Sequence, residues 1–223
     1  MTRAVAINGS PQMGKGNTAL VLDSFIQGMI DAGCETELLY ASQLKIKPCS
    51  CGVMYCWQNR CGECCIKDEM QPLYQKLKAS DILVLATPVY VPLPGDMQNV
   101  VNRLMPLIDP KLERRQGRTR AVLHKDVNIS KLVLVATSGW WEIENCDTVV
   151  RIVRELAEDM GTEYGGAVLR PHADAMRTAD GISEGGQAVL AAARRAGKEL
   201  VEQGRMSDEV LAAVSRPLMP QEP

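Results

Sequence analysis

Histidine is almost missing from this chain: only His124 and His172 occur among 223 residues. That leaves little material for a histidine-ligated metal centre. No Ser-His-Asp arrangement or paired-carboxylate pattern stands out, which argues against a hydrolase of those types. Long apolar runs are missing too, and none approaches the roughly 20 residues that a membrane-spanning helix needs. The sequence shows no charged-then-apolar leader ending in a small-residue cleavage site, so a soluble cytoplasmic protein is expected. Nor is there a charge excess: 25 basic residues face 27 acidic ones, a net charge of −2. Neither nucleic acid nor a membrane surface is indicated as a partner, and no nucleic-acid-reading motif occurs. With no internal repeat and no low-complexity linker, one domain is the simplest organisation. It is expected to span residues 1–205, with a cysteine-rich loop at 48–66 and a C-terminal tail at 206–223.

Cysteine, by contrast, is plentiful. The eight are Cys34, Cys49, Cys51, Cys56, Cys61, Cys64, Cys65 and Cys146, and six of them fall within seventeen residues. A local cluster of this kind, without a leader, favours metal or redox chemistry over a disulfide framework. Cys34 and Cys146 stand apart and read as small buried residues.

The chain is organised around its first loop, Gly9-Ser10-Pro11-Gln12-Met13-Gly14-Lys15-Gly16-Asn17-Thr18. The apolar run 3–7 before it reads as a buried strand. After it, Leu22, Phe25, Ile26, Met29 and Ile30 recur at helical steps, with Asn17 or Thr18 as cap and Gly33 as terminator. Glycines let backbone amides approach closely, hydroxyls add donors, and a helix N-terminus favours an anion. By its parts the loop is a phosphate cradle. Gly9, Gly14 and Lys15 match most of a triphosphatase P-loop, but Gly16 stands where Ser or Thr would hold Mg²⁺. Gly14, Gly16 and Ala19 match a permissive dinucleotide fingerprint, but several residues separate them from the strand.

Further strands are expected at 35–40, 81–86, 131–136 and 164–169. Helices are expected after Asp68 (Met70, Leu73, Tyr74, Leu77), through Met97 to Leu107, through Val149 to Met160, and from a Ser183 cap through Leu200, with a short one at 208–214. The proline-rich end reads as loose. Strands alternating with helices imply right-handed crossovers and a parallel sheet between helical layers. The expected fold is α/β: a doubly wound, five-stranded parallel, flavodoxin-like sheet of order 2-1-3-4-5. Ligands in such sheets sit beyond the strand C-termini. Three loops leave that edge: the cradle, Pro88-Val89-Tyr90-Val91, and Thr137-Ser138-Gly139-Trp140-Trp141-Glu142. Residues 111–130 read as a basic connector, more simply a solvated loop than a dock for nicotinamide phosphates.

The order Gly-Ser-Pro, glycine-rich middle, Gly-Asn-Thr, followed by Pro88-Val89-Tyr90 after strand three, resembles the flavodoxin-like NAD(P)H-dependent FMN reductases. The resemblance implies an FMN-dependent oxidoreductase with NAD(P)H as co-substrate. Ser10, Gln12, Gly16, Asn17 and Thr18 would hold the FMN phosphate. Pro88, Val89, Tyr90 and Val91 would contact the isoalloxazine, with Thr137, Ser138, Gly139 and Trp140 at its polar edge or face. Trp141 reads more simply as a packing residue. Hydride transfer needs no side-chain acid or base, so no catalytic residue is assigned.

The stretch Cys49-Ser-Cys51, Cys56-Trp57, Cys61-Gly-Glu-Cys64-Cys65, then Ile66-Lys67-Asp68-Glu69-Met70, resembles the compact motif of iron-sulfur flavoproteins, a branch of the same reductases. It implies a 4Fe-4S cluster on Cys49, Cys51, Cys56 and Cys64. The spacing departs from the branch's pattern, which leaves Cys61 and Cys65 as substitutes for Cys64. Structural zinc and bare redox thiols are the alternatives. The resemblance also implies a homo-oligomer, dimer or tetramer, and a small-molecule or electron-carrier redox partner. A non-catalytic flavodoxin-type carrier is the second functional reading.

Overall fold

The computed structural model describes residues 1–52 and 55–220. Val53 and Met54 of the cysteine loop, and the last three residues of the tail, lie outside the described residues. In chain order the elements are β1 (Arg3–Asn8), α1 (Asn17–Asp31), β2 (Glu35–Tyr40), α2 (Tyr55–Gln58), α3 (Met70–Ala79), β3 (Ile82–Pro88) and α4 (Gly95–Asn102). Then come β4 (Ile108–Arg115), β5 (Arg118–Leu123), β6 (Lys131–Thr137), α5 (Asp147–Met160), β7 (Glu163–Arg170), β8 (Arg177–Thr178), β9 (Gly181–Ile182), α6 (Glu184–Gln203) and α7 (Asp208–Ser215).

The central sheet runs β2-β1-β3-β6-β7, every pair parallel. This is the expected doubly wound order, 2-1-3-4-5 among the five central strands. The period-two alternation of side chains splits the strands between two cores. Val5, Ile7, Leu83, Leu85, Leu132 and Leu134 meet α3, α4 and α5 on one face. Ala4, Ala6, Val84, Val133 and Val135 meet α1, α6 and α7 on the other. Burial on both faces is why β3 and β6 read as unbroken apolar runs.

Helices α1 and α6 lie in backbone contact through two glycines. A Cβ on Gly28 would stand 1.8 Å from the Arg194 carbonyl oxygen, and one on Gly197 would stand 1.9 Å from that of Phe25. Ser183 caps α6 as expected, its hydroxyl accepting from the Gly186 amide at 2.9 Å. Cys34 and Cys146 are buried. No described helix is long and apolar enough to cross a membrane.

Three local expectations are corrected. Residues 111–130 are not simply a charged loop, because β4 and β5 form an antiparallel hairpin. Its two-residue turn has positive φ at both Gln116 (50°) and Gly117 (77°), the type I′ geometry that suits hairpin twist. Two of the basic residues pair with carboxylates of α5: Arg120 meets Glu155, Glu158 and Asp159 at 2.8–3.0 Å, and Arg118 meets Glu155 at 3.0 Å. The helix expected through Met97 to Leu107 ends at Asn102, and a short 3-10 turn at Met105–Leu107 leads into β4. Neither Asn17 nor Thr18 caps α1, because both side chains are engaged elsewhere and Gly16 takes the cap position.

Candidate functional site

The C-terminal edge of the sheet is tied together by backbone bonds that run from strand to strand. The Gly9 amide donates to Ala86 (2.7 Å), Val89 to Thr137 (2.8 Å), Ser138 to Arg170 (2.9 Å) and Ala173 to Ser138 (2.9 Å). A buried hydroxyl pair, Thr18 Oγ1 and Thr137 Oγ1 at 2.7 Å, joins the start of α1 to the end of β6. The loops after β1, β3, β6 and β7 therefore open from one rim in fixed register.

They enclose a cavity of about 390 Å³. Eleven of the thirteen residues expected there line it: Ser10, Gln12, Gly16, Asn17, Thr18, Pro88, Val89, Tyr90, Thr137, Ser138 and Gly139. Val91 and Trp140 do not. They stand at the rim, 95% and 68% exposed. Trp141 stacks on His172 with ring centroids 3.7 Å apart, the packing role expected of it.

At the narrow end, Ser10 donates its amide to Asn8 Oδ1 at 2.8 Å and accepts from the Gln12 amide at 3.3 Å. Gly16 faces this turn: a Cβ there would stand 3.1 Å from Ser10 Oγ and 3.2 Å from Gln12 Cβ. The first turn of α1 carries no acidic residue and no side-chain cap, so its amides present a positive end to the cavity. The donor set, hydroxyls plus helix amides around a turn without a Cβ, suits a phosphate monoester.

Two residues here escaped the sequence reading. Asp174 lines the cavity and accepts from Asn17 Nδ2 at 2.6 Å. Arg177 donates to Asn17 Oδ1 at 2.7 Å and to the Lys15 carbonyl at 3.0 Å. Together they fix the amide of Asn17 and its flip. The available signal was position, since both follow β7 directly and β7 adjoins β6 at the open edge.

A second cavity, of about 110 Å³, lies under the cysteine stretch. Cys49, Cys51, Cys56 and Cys64 all line it, together with Cys65, and Arg103 forms part of its wall. Cys61 lies outside. Among the described residues no three Cys, His, Asp or Glu side chains stand in metal-holding geometry, so the thiols share the space without converging. A hydrogen bond with Cys65, reinforced by burial, pushes the Cys51 thiol up to about 12, and burial raises that of Cys56. In this arrangement both are neutral thiols.

The neck of the loop is closed by one buried ion pair. Arg103 and Asp68, with side chains 1% and 4% exposed, meet through two parallel bonds of 2.7 and 3.0 Å. Asp68 also accepts from the Lys47 amide at 2.9 Å and the Met70 amide at 3.1 Å, while Arg103 donates to the Lys47 carbonyl at 2.9 Å. Asp68 does bond the start of α3, as a cap would, but most of its capacity goes to Arg103 and Lys47. Gln71 adds bonds to the Cys64 and Ile66 carbonyls.

The curated relatives share about a third of their residues with this chain over partial matches. One is an iron-sulfur flavoprotein of Archaeoglobus fulgidus, 34% identical over 106 residues, covering 47% of this chain and 46% of that protein. Another is an iron-sulfur flavoprotein of Methanocaldococcus jannaschii, 29% identical over 122 residues, covering 54% and 61%. The chain thus spans about half the length of the curated relatives it matches. Solved structures share the fold at low identity. An NAD(P)H:quinone oxidoreductase from Methanothermobacter marburgensis gives a TM-score of 0.57 at 15% identity, covering 89% of this chain and 96% of that one. An FMN-dependent NADH-azoreductase from Bacillus anthracis gives 0.60 at 12%, covering 91% and 99%. Residues 2–140, which include the cradle, the cysteine stretch and the loops after β3 and β6, match the sequence profile of one family. The chain belongs to the NADPH-dependent FMN reductase family.

Proposed function

We propose that this protein is an FMN-dependent oxidoreductase, loaded by NADH, NADPH or a reduced carrier, that passes electrons to a small-molecule or protein acceptor. The observation that carries this reading is the 390 Å³ cavity in which three separately recognised loops meet. Ser10, Gln12, Gly16, Asn17 and Thr18 would hold the FMN phosphate against the positive end of α1. Pro88, Val89 and Tyr90 supply an apolar wall for the flat ring. Thr137, Ser138 and Gly139 supply the polar edge for the ring. Val91 and Trp140 stand at the mouth, exposed to a nicotinamide, an acceptor or a second copy of the chain in a homo-oligomer. Held by these residues, FMN would supply both hydride and one-electron chemistry, which makes a neighbouring one-electron centre chemically useful.

The finer part of the proposal is a 4Fe-4S cluster on Cys49, Cys51, Cys56 and Cys64. Five thiols line one cavity, more than the four a cluster needs. Arg103 in its wall places a buried cation beside what would be an anionic set of thiolates, and its Nε has no hydrogen-bond partner among the described residues. The relatives named iron-sulfur flavoproteins support the same reading.

Anaerobic purification with an absorbance spectrum, metal analysis and a nicotinamide-oxidation assay tests both parts. Flavin bands with turnover are expected, and broad iron-sulfur absorption with about four irons per chain. Bound flavin without turnover would move the reading to an electron carrier. Zinc in place of iron would make the cysteine site structural. A colourless protein that fails to bind added FMN would end the proposal.

A further inference from the structure

Two cysteines of the stretch, Cys61 and Cys65, stand outside the four-ligand set, and of these only Cys65 lines the cavity. Cys61 is exposed and lies outside the cavity that the other five line. Its sulfur stands 3.8 Å from His124 Nε2, and His124 Nδ1 stands 3.4 Å from Asp109 Oδ2. The three side chains thus form a chain, thiol to imidazole to carboxylate, in which each group contacts the next.

The partners are held from different parts of the fold. Asp109 and His124 sit at the base of the β4–β5 hairpin, where the His124 amide donates to the Leu107 carbonyl at 2.9 Å and its carbonyl accepts from the Val127 amide at 3.0 Å. Cys61 comes from the turn after α2, fixed by the Gly62 amide donating to the Cys56 carbonyl at 3.2 Å. Gly62 has a left-handed φ of 81°, and a Cβ there would stand 3.5 Å from His124 Nε2. Glycine therefore both permits the turn and leaves the approach to the imidazole open. Cys61 is 3.8 Å from a ring nitrogen able to take its proton. A carboxylate 3.4 Å from the far nitrogen would support the imidazolium once it forms, the general logic of an activated thiol.

We propose that Cys61, His124 and Asp109 form a second reactive site, separate from the flavin cavity, that undergoes thiol–disulfide exchange with small-molecule disulfides. In the step, His124 Nε2 takes the Cys61 proton and the thiolate attacks one sulfur of the incoming disulfide. The S–S bond of the reagent breaks as the new one forms. Cys61 is oxidised to a mixed disulfide, and the departing sulfur leaves reduced, as a thiolate that takes up the proton from His124 or water. The site needs no flavin and no metal, so it stands or falls independently of the function proposed above.

The test is pulse-labelling of the full-length protein with dithiodipyridine, then with oxidised glutathione, and peptide mass mapping of each cysteine. It is run on protein as purified and again after chelation of metal. Cys61 is expected to react first in both states, at least about tenfold faster than the exposed Cys49 and Cys65 of the chelated protein. His124→Gln is expected to slow Cys61 by about tenfold, and Asp109→Asn by less, while Cys49 and Cys65 keep their rates in the same molecules. Those two cysteines report whether the loop is still folded. Equal rates at all three cysteines, a Cys61 rate unchanged in His124→Gln, or protection of Cys61 by bound iron would each overturn the proposal, the last by making Cys61 a metal ligand.

Discussion

The proposed flavin rim and the cysteine loop are built by opposite means. At the rim, main-chain bonds from Gly9 to Ala86, Val89 to Thr137 and Ser138 to Arg170 carry the sheet register into the loops. The cavity geometry there follows from strand order. Among the described residues of the cysteine loop the backbone bonds are local turns, such as Gly62 to Cys56; side chains hold its neck, and its thiols line a space without converging on a point. One site is complete once the backbone has folded. The other is a closed purse whose contents would be ordered by whatever binds inside. Changes to the neck should therefore affect the two sites unequally.

The largest effect is expected from Asp68→Asn, which leaves the Arg103 guanidinium buried opposite a neutral amide. Breaking one partner of a buried pair costs about 3–5 kcal/mol, read as a lowered midpoint in denaturant melts. Residues 48–66 should become the first site of limited proteolysis, with FMN affinity changed much less. The same contrast appears with pH. Burial raises the Asp68 carboxyl, but the bonds from Arg103, Lys47 and Met70 outweigh it and hold it below the ordinary carboxylate value. Its contribution is thus complete above about pH 4 and is lost as pH falls through that lowered value. Acid should loosen the cysteine loop in the wild type and leave Asp68→Asn comparatively indifferent over that range.

Next in size is Gly28→Ala, where the added methyl meets the Arg194 carbonyl. Overpacking of this kind costs about 1–3 kcal/mol. Because α1 carries the proposed phosphate end of the cavity, FMN affinity should fall together with stability, whereas the iron content of the proposed cluster should not. Gly16→Ala should reverse that balance. The new methyl crowds Ser10 and Gln12 inside the cradle, and loss of one charge-assisted bond weakens FMN binding about tenfold, with the melting midpoint nearly unchanged. Smallest is Trp140→Ala: the exposed ring should alter stability by less than about 0.5 kcal/mol. A raised KM for nicotinamide or acceptor would place Trp140 at the mouth in function as well as in space.

Much of this was readable in the sequence because it is local. Apolar runs mark β1, β3 and β6, since burial on both faces removes polar residues, and the turn residues after them mark the rim. The β4–β5 hairpin was hidden by its own partners. Arg118 and Arg120 face the carboxylates of α5, so the pattern looks like a charged loop until the helix is in place. Its turn, Gln116-Gly117, lacks the Asn or Asp that usually announces a type I′ hairpin. Asp174 and Arg177 act on Asn17 from some 160 positions away in sequence, a contact that only the sheet order creates. Spacing alone could not show that Cys65 turns into the cysteine cavity and Cys61 turns out of it, because that depends on where His124 arrives.

The guanidinium of Arg170 has a practical bearing on how the protein is handled. It is 1% exposed, burial pulls it down to about 10, and it donates to the carbonyls of Val214 and Arg216. The carbonyl of the same residue holds Ser138 at the rim. A shortened version ending before Val214 would strip a buried cation of both acceptors one residue from the yellow cofactor's proposed berth. Expression clones, fusions and purification tags should leave that stretch intact, or faults in flavin loading will be blamed on the wrong end of the molecule.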